Sequence, residues 1–189
     1  DSVELGPNVN QSTLIGSSAV SASGNAGSIN INTKAMTVTG GALISSSTFG
    51  SGNAGSITIN ASERLSIDGF GFNTTTNQVE STTIRTGGIL IPESIQQRFG
   101  LPPTVTGNAG TLTINTPSLQ IENQALVTVR HDSAGNAGKI EVDADTLILD
   151  GEGKITATTA SGEGGNINLN LKSNLILRNS SLIDTEALG

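Results

Sequence analysis

The chain has no cysteine, tryptophan or tyrosine. Without cysteine there is no disulfide framework, no thiolate metal site and no thiol nucleophile. Aromatic residues make up 2% of the 189, all of them phenylalanine, and charged residues only 13%, about half the usual ~25%. The net charge is −7 and no basic run occurs. A nucleic-acid interface needs a positive stripe and usually aromatic rings that stack on bases, so nucleic acid is not expected as a partner. The longest apolar run is Ile89-Leu90-Ile91, far short of the ~20 residues that span a bilayer, so no transmembrane segment is expected. The opening Asp1-Ser2-Val3-Glu4-Leu5 has neither the charged nor the apolar region of an export signal. The chain is read as a mature protein or an excised stretch of one.

What the sequence does hold is a repeat. Gly-Asn-Ala-Gly occurs at 24–27, 52–55, 107–110 and 135–138, with a degenerate Gly-Glu-Gly-Gly at 162–165. Each copy continues with an alternating apolar pair, such as Ile57/Ile59 or Leu112/Ile114, then a second, such as Leu65/Ile67 or Leu119/Ile121. A third, weaker segment follows, as at Val127/Val129 or Ile155/Ala157. Alternation with period 2 is the strand signal. Three short strands in about 28 residues leave no room for a crossover helix, and a fixed period stacks like strand on like strand. The expectation is an all-β, right-handed parallel β-helix of about six coils with three strands and three sheets, residues 1–23 being a partial leading coil. A two-sheet sandwich is the alternative, but it does not require identical corners at a fixed period.

The residue types fit that reading. Each coil buries five or six aliphatic side chains, each worth about 1.5–3 kcal/mol before entropy is subtracted, and an isolated coil has nothing above or below to cover it. Gly27, Gly55, Gly110, Gly138 and Gly165 are placed at corners that favour positive φ. Asn25, Asn53, Asn108 and Asn136 beside them form a turn ladder in which side-chain amides bond from coil to coil. Asn32, Asn60, Asn115, Asp143 and Asn170 form a second column at the next corner.

Gly-Asn-Ala-Gly-Ser-Ile-Thr-Ile-Asn-Ala at 52–61, followed by Leu65-Ser66-Ile67-Asp68-Gly69, resembles the repeats of filamentous-haemagglutinin-like exoproteins of the cyanobacterial type, exported by two-partner secretion; Gly135–Gly151 does too. The resemblance covers nearly the whole chain except one insertion. It implies export through an outer-membrane pore, folding coil by coil at the cell surface, and an extracellular adhesive shaft. No match to the family's secretion domain is seen.

Residues 68–106 break the period. Ser81–Thr86 supplies the missing third strand, which leaves loops at 69–80 and 87–106. The second loop reads as a short helix over 92–99, with Pro92 at its first position, Gly100 just past its end and Pro102-Pro103 beyond. Phe70, Phe72, Arg85, Arg98 and Phe99 fall in this stretch. Aromatic and arginine side chains on loops of a rigid scaffold are typical interface anchors, so these five are the candidate contacts for a partner, glycan or cell surface. The plainer reading packs Ile95 and Phe99 of the helix, with Ile91, onto the solenoid wall and spreads Phe70 and Phe72 over a sheet face.

No catalytic, cofactor or metal residue is assigned. His131, the single histidine, is read as a solvated turn residue without a catalytic partner. Asp143, Asp145, Asp150 and Glu152 lack the glycine-rich nonapeptide of calcium-binding β-helices and serve solubility. Lys139, Lys154, Arg130 and Lys172 are too scattered for a polysaccharide lyase, and Thr156-Ala157-Thr158 stands alone where an ice-binding face would repeat it. The expected function is therefore a non-enzymatic, secreted structural or adhesive shaft. The runner-up is a subunit of an extracellular filament stacked end to end, and a polysaccharide-acting enzyme ranks third.

Overall fold

The computed structural model describes residues 1–6, 13–20, 23–74 and 77–187; residues 7–12 and 21–22 of the leading repeat, 75–76 of the first loop and 188–189 lie outside the described residues. In chain order the elements are β1 (Ser2–Leu5), β2 (Leu14–Ala19), β3 (Ile29–Thr39), β4 (Leu43–Thr48), β5 (Ile57–Asp68), β6 (Phe70–Asn73), β7 (Gln78–Ser81) and β8 (Thr83–Gly88). Then come α1 (Glu93–Phe99), β9 (Thr111–Glu122), β10 (Leu126–His131), β11 (Lys139–Asp150), β12 (Lys154–Thr159), β13 (Asn166–Leu177) and β14 (Leu182–Ala187).

The protein is mostly β, and its parallel strands stack in sequence order as in a β-solenoid. One six-stranded sheet runs β1-β3-β5-β9-β11-β13 and the other β2-β4-β8-β10-β12-β14. Equivalent repeat positions pair: Ile59, Ile114 and Val142 sit in one column, and Ile44, Ile84, Val127 and Ile155 in another. These inward columns are fully or almost fully buried and form one continuous aliphatic core between the sheets.

The three short strands expected per repeat are two. The first and second alternating segments join into one strand of eleven or twelve residues that keeps its ladder across the corner. Register shifts between Thr33 and Ala35, between Asn60 and Leu65, and between Ala144 and Thr146 mark that corner. A bulge absorbs one residue of length difference without ending the strand, which is why apolar spacing suggested a break that hydrogen bonding does not make. Thr33 and Thr116 hydroxyls donate to the carbonyls of Ala35 and Ser118 there (3.0 and 3.2 Å).

The second corner joins the long strand to the short one through two residues at positive φ: Gly40-Gly41, Asn123-Gln124, Gly151-Glu152 and Asn179-Ser180. This is the type I′ geometry, which Gly and Asn tolerate best. The Gly-Asn-Ala-Gly glycines play a different part from the one expected. Gly27, Gly55, Gly110, Gly138 and Gly165 are not among the positive-φ residues. From Gly55 on they are needed because the turn of one repeat rests directly on the next. A Cβ at Gly55, Gly110 or Gly138 would overlap the carbonyl oxygen of Gly27, Gly55 or Gly110 respectively. At Gly165 it would meet the Gly138 oxygen at 2.7 Å.

Candidate functional site

Among the described residues, two protrusions and a groove at a strand corner stand out from the regular surface. The first protrusion is the antiparallel β6–β7 hairpin, which grows from the corner where other repeats make a two-residue turn. Gly69 begins it at φ 74. Phe72 pairs with Val79 and Phe70 with Ser81, so Phe70, Phe72 and Val79 share one face by strand alternation. They are 50%, 59% and 59% exposed. Gly71 on the opposite face lies against the Gly40 carbonyl and anchors the hairpin to the repeat before it.

The second protrusion is the 89–106 segment with α1. Pro92 is its N-cap rather than its first helical residue (φ −53, ψ 141), and Gly100 closes it in the left-handed conformation. The helix does not pack on the wall through Ile95 and Phe99, which are 42% and 62% exposed. Its buried residue is Gln96, whose amide donates to the Ile91 carbonyl (2.9 Å). A seven-residue helix carries too few apolar side chains to form its own core contact, so a hydrogen bond to the entering chain holds it instead. The Arg98 guanidinium stacks on Phe99, 5.6 Å from the ring centre, a cation–π contact.

The five candidate contact residues therefore divide among three elements. Phe70 and Phe72 are on the hairpin, Arg98 and Phe99 on α1, and β8, about 20 Å long, separates the two attachment points. Arg85 lies in β8 itself, on the outer face of its sheet, half-buried and bonded to the Ser45 hydroxyl (3.3 Å). Burial first, and then the nearby Arg130 charge, lower its pKa, with Asp132 opposing. Arg130 chelates Asp132, whose second oxygen also accepts the Leu90 N–H (3.2 Å). That bond ties the start of the 89–106 segment to the neighbouring repeat.

The groove lies at the bulged corner of the long sheet, encloses about 530 Å³ and crosses β3, β5, β9, β11 and β13. Asn32, Asn60, Asn115, Asp143 and Asn170 line one side. Asn60 Nδ2 donates to Asn32 Oδ1, and Asn115 Nδ2 to Asn60 Oδ1 (both 2.7 Å). Asn170 Nδ2 donates to Asp143 Oδ1 (2.6 Å). Small buried residues, Ala61, Thr116 and Ala144, make the floor. Ser62, Pro117, Asp145 and Lys172 line the other side, where an ion pair with Asp145 (2.9 Å) raises the Lys172 pKa. The alternation of Asn with a small residue in successive repeats was the available signal; the corner's shape was not in the sequence.

The turn ladder is also specific in its bonding. Asn25 Oδ1 accepts the backbone N–H of Asn53, Asn53 that of Asn108, Asn108 that of Asn136, and Asn136 that of Glu163 (2.8–3.1 Å). Each side chain thus bonds to backbone rather than to the next amide, and so can still hold where Glu163 replaces asparagine.

His131 is not a solvated turn residue. It is 1% exposed at the end of β10. Nε2 bonds the Gly107 carbonyl (2.6 Å), and Nδ1 accepts the N–H groups of Ser133 and Gly135 (both 3.2 Å). Two donors on Nδ1 require the proton on Nε2. Gly88 and Gly135 leave the space the ring fills. The column partner Thr159 makes the corresponding bond one repeat on, to the Gly135 carbonyl (3.1 Å). The role is structural, and His131→Ala is expected to cost about 3 kcal/mol in urea unfolding, since it strands three backbone groups and leaves a cavity.

Among the described residues no three carboxylate or imidazole groups gather as a metal site, and no helix is long and apolar enough to cross a membrane. No family model matches the chain, and no curated protein or solved structure matches it.

Proposed function

We propose that the chain is a right-handed parallel β-helix of about six coils and forms the non-enzymatic, extracellular shaft of a large surface exoprotein that displays adhesive elements. The observation that carries this reading is the in-register parallel stack of both sheets, from which a hairpin and a helical segment project. Such a stack transmits position along its axis and presents loops rigidly. The resemblance to filamentous-haemagglutinin-like exoproteins supplies the setting: export through an outer-membrane pore by two-partner secretion, then folding at the cell surface. Each repeat pairs only with its immediate neighbours, which suits folding that propagates repeat by repeat as the chain emerges. The partners are glycans or other cell-surface groups, with no cofactor.

Phe70, Phe72 and Phe99 are the anchors this reading assigns. Substituting all three by serine is expected to lower binding of the purified protein to whole cells at least about tenfold, with the β-type circular dichroism unchanged. Undiminished binding would remove adhesion from the protrusions.

A second reading, an end-to-end filament subunit, is favoured by Leu175, Leu177 and Leu182, which are 48%, 42% and 43% exposed in the edge strands β13 and β14. Uncovered edges pair readily, so adjoining coils of the parent chain or another copy would cover them. Concentration-dependent axial assembly in sedimentation velocity would select the filament.

A further inference from the structure

We propose that the corner groove of the long sheet binds a neutral, hydroxyl-rich glycan chain lying along the stacking axis. This deepens the shaft reading and rests on it for its setting, by giving the shaft a ligand class and a site remote from the protrusions.

The first argument is periodicity. Neighbouring strands repeat at about 4.8 Å, and an extended polysaccharide advances only slightly more per ring, so successive rings meet equivalent groups over several strands. An extended peptide repeats every two residues, at about 6.7 Å, and falls out of step within two layers.

The second is hydrogen-bonding capacity. Asn60 spends one N–H and one oxygen lone pair on the column, leaving one donor and one acceptor for a ligand. A hydroxyl needs the same pair in reverse. The column holds these amides in place before binding, so little side-chain freedom is lost.

The third is a gap in the column, whose amides otherwise all donate toward the preceding repeat. Asn115 Nδ2 points to Asn60, which turns its Oδ1 toward Asp143; Asp143 takes its own bond from Asn170 on the far side. A carboxylate has no proton for Asn115, so two acceptors face each other one strand apart. A ligand hydroxyl donating there resolves the mismatch.

Charge then selects the glycan class. Asp143 and Asp145 outnumber Lys172 in the lining, and the chain carries −7 overall, which disfavours uronic-acid or sulfated chains. The small floor of Ala61, Thr116 and Ala144 accepts the C–H edge of a ring.

The test is calorimetric titration with neutral gluco-, xylo-, manno- and galacto-oligosaccharides of one to eight units, alongside oligogalacturonates. At least one neutral series is expected to bind more tightly with length and level off near five or six rings, as the groove crosses five strands. Asp143→Asn gives Asn115 its missing donor and is expected to weaken binding about fivefold without harming the fold. Ser62→Arg, on an exposed rim, fills the groove and abolishes binding. The proposal is overturned if no neutral series shows length-dependent affinity, if oligogalacturonate binds more tightly than every neutral series, or if binding survives both substitutions. None of these results bears on whether Phe70, Phe72 and Phe99 hold cells, so failure here and failure of the shaft reading remain distinct.

Discussion

Gly110→Ala is expected to destabilise the protein by about 4 kcal/mol, although it adds one methyl group at a residue that is not at positive φ. The added Cβ would overlap the Gly55 carbonyl oxygen. Both partners are backbone, so neither can rotate away. The two turns would have to separate, and the bonds between them would go. The Thr86 hydroxyl donates to the Gly55 carbonyl (2.7 Å) and accepts the Gly110 N–H (3.3 Å), and Ala54 N–H donates to the Asn108 carbonyl (2.9 Å). Each is worth about 1 kcal/mol and more when its groups stay buried and unpaired. Gly69→Ala is the control. Gly69 is at φ 74 with nothing near its missing Cβ, so its cost is the left-handed penalty alone, about 1–2 kcal/mol. Urea unfolding of the two variants decides the matter. A Gly110→Ala cost no larger than that of Gly69→Ala would mean these glycines are there for conformation, not for close approach.

Ile114→Asp is expected to cost at least about 4 kcal/mol, and Thr113→Asp under about 1 kcal/mol. Ile114 is fully buried in the column between Ile59 and Val142. A carboxylate there has no partner, and the surrounding aliphatic core can offer none. Thr113, one residue earlier, points out of the sheet by strand alternation and keeps its access to water. Thermal melts of the pair test the register directly, since a slip by one residue would exchange the two outcomes.

Much of the architecture was legible because a solenoid is nearly one-dimensional. The 28-residue step puts Asn60 beside Asn32 and Ile59 beside Ile31, and period-2 alternation says which of them faces inward. The insertion was legible as a break in that step, and β8 as the strand inside it. Its internal packing was not: Ile91, Ile95 and Phe99 have helical spacing, yet spacing alone cannot say whether a wall stands opposite them, and it is Gln96 that is buried. His131 misled for a related reason. Its neighbours Arg130 and Asp132 are polar, but alternation at the end of β10 turns the ring inward over Gly88 and Gly135, and Gly88 comes from another repeat. The candidate contacts were legible as residue types, but not their separation into a hairpin, a helix and a sheet face.

The repeat, its strand content, the parallel stacking of equivalent positions and the inward columns all follow from local periodicity and could be read without coordinates. How the strands join and what the corners are for depend instead on contacts between repeats. Two expected strands became one bulged strand because ladder hydrogen bonds continue across a bend that apolar spacing registers as a gap. The turn glycines answer to backbone stacked on them from 27, 28 or 55 residues away, a contact no local pattern can encode. The groove likewise exists only once five separate corners lie side by side, so its walls, floor and interrupted amide column are properties of the stack rather than of any one repeat.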